Sequence, residues 1–303
     1  MSFIKLMSAL GASVMLLLGL NNFASAQTQP EVKYAQVGDV QLAYYTLGQG
    51  DPLLMINGFI STMSLWDPAL LAELSKTNQL ILFDNRGVGL SSDTKENLTT
   101  IPQMADDAAG LVKALGYKKV NILGWSMGAR IAQQFLIRHP EIVGKAILAA
   151  ANPGGRHQIP ADKDVESKLN NPNVPEIEKI SLVFTDNAAG KKAAAEVLGR
   201  LKVAVAKGAI PNDFNVSKET TLRQDRARTT LWDNDHENFK NLKNIKTPVL
   251  LTDGQYDVVD MPKNSLLIAN QIPFSWVAFF DGGHAFLFQE HKRFSDTVKA
   301  FLQ

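Results

Sequence analysis

The chain has 303 residues, with 31 Lys and Arg against 30 Asp and Glu and a formal net charge of +1. Its 45% hydrophobic and 20% charged content is ordinary for a globular protein and excludes a globally disordered, collagen-like or low-complexity chain. The near-zero charge gives no basic footprint for nucleic acid, and the absence of cysteine removes disulfides, thiolate metal sites, iron–sulfur clusters and cysteine nucleophiles.

The chain opens with one charge, Lys5, followed by an apolar run from Leu6 to Leu20, polar Asn21 and Asn22, and then Ala24-Ser25-Ala26. A basic start, a short apolar middle and a small-residue end are the order of a secretory signal, with cleavage expected after Ala26. A membrane anchor is the rival reading, but Ser8, Gly11 and Ser13 interrupt the run, and spanning needs about 20 apolar residues. Residues 1–26 are therefore expected to be a leader. The protein is expected to be exported, either periplasmic or secreted, with no stable membrane span after cleavage.

Tyr34 to Leu47 carries Gly38-Asp39 between two β-prone runs and predicts a hairpin. Short apolar runs then predict buried strands at Pro52–Asn57, Leu80–Phe83, Val120–Leu123, Lys145–Ala151, Pro248–Thr252 and Trp276–Phe280. Between them lie helical patterns at Pro68–Leu74, Ile101–Leu115, Met127–Arg138, Met261–Ala269 and Phe286–Leu302. This alternation predicts an α/β fold with a mostly parallel central sheet and helices on both faces. From Pro153 to Thr247 no convincing strand appears, and a stretch of that length is too long for a loop. It reads as a helical cap over the sheet's carboxyl edge, where ligands of such sheets bind. The domain reading is a core of 27–152 plus 248–303 with a cap or lid at 153–247. Arg223, Arg226 and Arg228 within it read as a solvated helix face.

Gly124-Trp125-Ser126-Met127-Gly128 joins a predicted strand directly to a predicted helix. A serine at so sharp a turn projects its hydroxyl above the sheet, and the flanking glycines allow backbone to pass close by. A serine needs a base to take its proton. Of the five histidines, His139 ends a helix, His157 and His236 fall in the insertion, and His291 falls in the last helix. His284 follows Asp281-Gly282-Gly283 just after the last strand and reaches the same sheet edge as Ser126. The carboxylate that would orient it is Asp257, with Asp253 and Asp260 as competitors.

The order Ser126, Asp257, His284 resembles that of the α/β-hydrolase fold family. Asn57-Gly58-Phe59 stands where that family usually has His-Gly, and Asp84-Asn85-Arg86-Gly87-Val88-Gly89-Leu90-Ser91 is similar to its D-x-R-G-x-G-x-S turn. The resemblance implies a catalytic set of Ser126, Asp257 and His284. It also implies an oxyanion hole made by the backbone N–H groups of Phe59 and Met127; no cofactor is expected, and the sequence, with no cysteine and no metal-ligand cluster, predicts no metal. A serine at the elbow argues against dehalogenase and epoxide hydrolase chemistry, which use aspartate there. Carboxylic-ester or lactone hydrolysis through an acyl-enzyme on Ser126 is the expected activity, on a small-molecule ester-like substrate. Carbon–carbon bond hydrolysis and aminopeptidase action are alternatives within the same fold, and non-catalytic binding of a small molecule or partner is the alternative of another class. A free imidazole titrates near ~6.5, so turnover is expected to rise through about pH 6 to 8.

Overall fold

The computed structural model describes residues 30–94, 99–170, 173–174 and 176–303. The expected leader, residues 1–26, lies outside the described residues. Eight strands form one sheet: β1 (Lys33–Val37), β2 (Val40–Leu47), β3 (Asp51–Ile56), β4 (Asn78–Phe83), β5 (Val120–Trp125), β6 (Val143–Ala149), β7 (Val249–Gly254) and β8 (Ser275–Phe280). Their order across the sheet is β1-β2-β4-β3-β5-β6-β7-β8. β1 pairs antiparallel with β2 and β2 antiparallel with β4, while every other pairing is parallel.

Successive side chains of a strand point to opposite faces, so a strand covered on both sides must be apolar throughout. β3 shows this in four residues. Leu54 and Ile56 pack with Met104, Ala108 and Phe135 on one face; Leu53 and Met55 pack with Leu70, Trp66 and Phe294 on the other. The first face is covered by α2 (Ile101–Ala114) and α3 (Met127–Arg138), and the second by α1 (Pro68–Leu74) and the last helix. The α2 start is fixed by Thr100, whose hydroxyl accepts from the Gln103 N–H at 3.1 Å, with Pro102 in the first turn where no donor is needed.

The helical insertion leaves the sheet after β6. It contains α4 (Lys163–Asn170), α5 (Glu176–Phe184), α6 (Ala188–Ala206), α7 (Lys218–Arg226) and α8 (His236–Asn241). Among the described residues four of these start on side-chain caps: Asp162, Asn187, Ser217 and Asp235 accept from N–H groups of their own first turns at 2.8 to 3.0 Å. An isolated antiparallel β-bridge, Val88 with Val216, ties the insertion to the loop after β4.

Most element ends fall within one or two residues of the sequence expectation, and two differences have a clear local cause. The strand read as Lys145–Ala151 is Val143–Ala149, because β-branched Val143 pairs with Val120 and the backbone turns at Ala150, where φ is 51°. The helix read as Phe286–Leu302 is two, α10 (Phe286–Gln289) and α11 (His291–Leu302), separated at Glu290, where φ and ψ are −106° and 35°. The eighth strand is followed by these two; α9 (Pro262–Ala269) precedes it.

Candidate active site

Ser126 is the hinge between β5 and α3. Its backbone sits at φ 58°, ψ −123°, a region that side-chain-bearing residues rarely enter. Its N–H donates to Ala149 O at 2.9 Å, anchoring the turn to β6. The glycines on either side are required by space. A Cβ at Gly124 would run into the Gly128 carbonyl, and one at Gly128 into the Ile56 carbonyl. The sharp turn therefore follows from close backbone packing between β5, α3 and the end of β3.

The three side chains picked out from the sequence are brought together. Ser126 Oγ lies 2.8 Å from His284 Nε2, and His284 Nδ1 lies 2.8 Å from Asp257 Oδ2. With Nδ1–H donating to the carboxylate, Nε2 is left to accept from the serine hydroxyl. Asp257 is itself fixed, since its Oδ1 accepts from the N–H groups of Val259 and Asp260 at 2.7 and 3.1 Å. The Trp125 indole N–H donates to the His284 carbonyl at 2.9 Å, so the residue before the serine holds the histidine's loop. His284 and Asp257 are both buried. Burial disfavours a charged imidazolium, but the charge of Asp257 and its hydrogen bond outweigh burial and raise the His284 pKa above its ordinary value.

The two competing carboxylates are engaged elsewhere. Asp260 accepts from Arg130 Nη2 with both oxygens, at 2.9 and 3.2 Å, and from Asn152 at 2.6 Å. Asp253 accepts from the Ser265 hydroxyl at 2.7 Å. Burial and the nearby charge of Asp257 push the Asp253 carboxyl well above the usual carboxylate range.

The loop after β3 lies against the serine: a Cβ on Gly58 would come within 3.2 Å of Ser126 Cβ. Asn57 braces that loop from within, accepting from the Gly58 N–H at 2.9 Å and donating to Thr62 O at 2.8 Å. Met127 is the first residue of α3, where an N–H has no acceptor in its own helix.

A cavity of about 710 Å³ opens onto Ser126 and His284. One part of its wall is apolar, with Leu65, Phe184, Val197, Leu201, Phe214 and Phe288. Another part is polar, with Arg130, Asn152, Gln158, Asp225, Arg228 and Thr229. Among the described residues no group of three or more His, Asp or Glu side chains could hold a metal ion, and no helix is long and apolar enough to cross a membrane.

The expectation of a solvated face at Arg223, Arg226 and Arg228 is corrected. Arg226 is exposed, but Arg223 pairs with Asp93, and Arg228 stands 4.4 Å above the Phe59 ring and lines the cavity. Arg228 belongs to a π-helical turn, Ala227–Leu231, that continues α7. The extra residue in that turn shifts the helical period, which is why spacing alone does not reveal which side chain faces inward.

Comparison with known proteins agrees with this architecture. BpoC of Mycobacterium tuberculosis, which carries the name of a non-heme bromoperoxidase, is 38% identical over 112 residues, 37% of this chain and 42% of that protein. The match thus spans less than half the length of that curated relative. The poly(3-hydroxyalkanoate) depolymerase of Ectopseudomonas oleovorans is 29% identical over 255 residues, 83% of this chain and 84% of its own. Among solved structures, an alpha/beta hydrolase fold protein from Chitinophaga pinensis aligns with a TM-score of 0.77 at 26% identity, over 92% of this chain and 99% of that one. The family model for the alpha/beta hydrolase fold matches residues 51–291, and the chain belongs to that family.

Proposed function

We propose that the protein is a serine hydrolase that cleaves carboxylic esters or lactones through an acyl-enzyme on Ser126. The observation that carries this reading is the unbroken relay from Ser126 Oγ to His284 and Asp257, each step 2.8 Å, at the floor of a largely apolar cavity. In this mechanism His284 takes the hydroxyl proton as Ser126 attacks the substrate carbonyl. The negative oxygen that forms is met by the N–H groups of Phe59 and Met127. His284 then gives its proton to the departing alcohol, and a water activated by the same histidine releases the acid. Asp257 holds the imidazole in the required tautomer and balances its transient charge.

Ester cleavage is favoured by the cavity's apolar wall, which suits an acyl chain, and by the likeness to a relative whose name is that of a polyester depolymerase. The segment 153–247 serves as a cap that selects substrates, because Phe184, Val197, Leu201 and Phe214 of that segment line the cavity. We also propose export, to the periplasm or beyond the cell, on the leader-like order of residues 1–26.

The test is hydrolysis of a panel of chromogenic esters by the wild type and by Ser126→Ala, with the intact mass measured after treatment with a fluorophosphonate. The reading requires turnover of at least one ester, its loss in Ser126→Ala, and a single adduct that only the wild type forms. No turnover and no adduct in the folded protein would favour non-catalytic binding.

A further inference from the structure

The loop after β3 carries Phe59, and its next residue is in an awkward state. Ile60 has φ 47°, a left-handed conformation that a β-branched residue rarely adopts. Such a conformation persists only where the surroundings hold it. The Ile60 N–H donates to Gln224 Oε1 at 2.8 Å, and Gln224 comes from α7 of the insertion, 164 residues away. Gln224 is fully buried, and among the described residues its Nε2 has no hydrogen-bond partner. The amide orientation is therefore set by the Ile60 contact: turning it over would face one N–H with another. An orphaned buried amide nitrogen is a cost that replacement by an apolar side chain would remove, so packing alone does not account for glutamine here.

A second tie runs in parallel. The Thr62 hydroxyl donates to Asp213 O of the insertion at 3.0 Å. The neighbouring loop after β4 is held in the same way, with Gly89 N–H on Asn215 O and the Thr220 hydroxyl on Gly87 O, both at 2.9 Å. Residues 58–62 are thus pinned from one side by Asn57 and from the other by the insertion.

We propose that Gln224 is a positioning residue for the oxyanion hole. By holding Ile60 in its left-handed conformation, it aims the Phe59 N–H at the place where negative charge forms on the substrate carbonyl. The inference rests on the serine hydrolase reading. It adds that the insertion completes the transition-state site as well as roofing it, so the hole is whole only while α7 is docked.

The test compares full-length wild type, Gln224→Met, Gln224→Glu and Ser126→Ala on one short-chain p-nitrophenyl ester, and with phenylboronic acid, whose adduct mimics the tetrahedral oxyanion. Active sites are titrated first, so that rates are per folded site. Gln224→Met keeps the bulk and removes the acceptor. It is expected to lower kcat about 10- to 100-fold, since a misplaced oxyanion donor costs that order of rate. Boronate affinity should weaken by a similar factor, with KM within about twofold of wild type and the pH midpoint unmoved. Gln224→Glu, which retains an acceptor oxygen, should recover most of kcat. If Gln224→Met does not fold, Thr62→Val removes the loop's other tie and reads the same split. Wild-type kcat in the folded acceptor-free variant, or a lost kcat with boronate affinity intact, overturns the inference. Ester turnover surviving in Ser126→Ala overturns the serine reading and this inference with it. An inactive Ser126→Ala beside an unaffected Gln224→Met overturns this inference alone.

Discussion

The two regions that meet at the cavity are held together differently. In the sheet, Leu53, Leu54, Met55 and Ile56 are all 0% exposed, and each packs against helices on one face or the other. In the insertion, the 19-residue α6 buries only Gly190, Ala194, Val197, Leu201 and Ala204, all but Leu201 of modest size. All three members of the serine relay stand on the first region, just past the carboxyl ends of β5, β7 and β8. Much of the cavity wall comes from the second. A relay that must hold two 2.8 Å contacts needs elements that cannot shift, whereas a wall that selects substrates can be built on helices with fewer internal contacts.

The largest test of this division is removal of the relay itself. His284→Ala is expected to lower kcat by roughly 10³-fold or more, matching Ser126→Ala, because nucleophile and base act as a unit. Additive losses in the double variant would break the picture of one unit. Next comes the choice among carboxylates. Asp257→Asn should cost on the order of 10²- to 10⁴-fold in kcat. Asp253→Asn should be mild, because the raised pKa of Asp253 already favours a neutral group. Asp260→Asn should leave kcat per folded site largely intact and lower stability by about 3 kcal/mol, since it leaves Arg130 buried without its carboxylate. Denaturant unfolding beside kcat on the three variants separates these outcomes.

Changes in the insertion should have smaller effects of another kind. Phe184→Ala and Phe214→Ala should each change the ratio of kcat/KM between long and short acyl esters by about tenfold, since both rings line the cavity. Trp232 is buried with its indole N–H on Asn152 Oδ1 at 2.7 Å, so Trp232→Ala should instead lower the thermal midpoint and leave the ratio alone. A preference shift in Trp232→Ala, or none in either phenylalanine variant, would blur the boundary between wall and core.

The smallest expected effect is on pH. The folded pKa of His284 is raised, so the neutral base appears only at higher pH, and the rising limb of kcat/KM for an uncharged ester should lie above the ~6.5 of free imidazole. Stability runs the other way. The folded state binds this proton more tightly than the unfolded chain, so the contribution is full below the unfolded pKa and is lost as pH rises through the folded value. Activity gained across that window should coincide with falling stability. pH–rate and pH–melting series on wild type and the two phenylalanine variants check this, and a midpoint that moved with the wall residues would count against the division.

Much of the first region was legible in the sequence because its signals are local. The Gly-x-Ser-x-Gly turn, the position of His284 just past the last strand and the apolar runs of the inner strands all survive in one dimension; the run Trp276–Phe280, read as buried, is instead the edge strand β8, with Trp276, Val277 and Phe279 exposed. Asp257 was separable from its two competitors because Asp253 still belongs to strand β7 and Asp260 lies close to the start of the following helix. The break at Glu290 was hidden, because the sequence there reads as continuous amphipathic helix. The second region hid its working residues more thoroughly. Gln224 and Arg228 lie in a tract that reads as surface; one meets a strained loop far away in sequence, and the other is turned inward by a π-helical turn.

The left-handed turn at Ser126 carries one more consequence. A glycine would adopt φ 58°, ψ −123° without steric cost, so Ser126→Gly should raise the melting temperature while abolishing turnover. That outcome would make the protein less durable than its own fold allows, at the one position where a hydroxyl is wanted. In a descendant released from chemical work, relief of the backbone strain would favour glycine at this turn. The residue found there would then serve as a record of whether the fold was still employed as a catalyst.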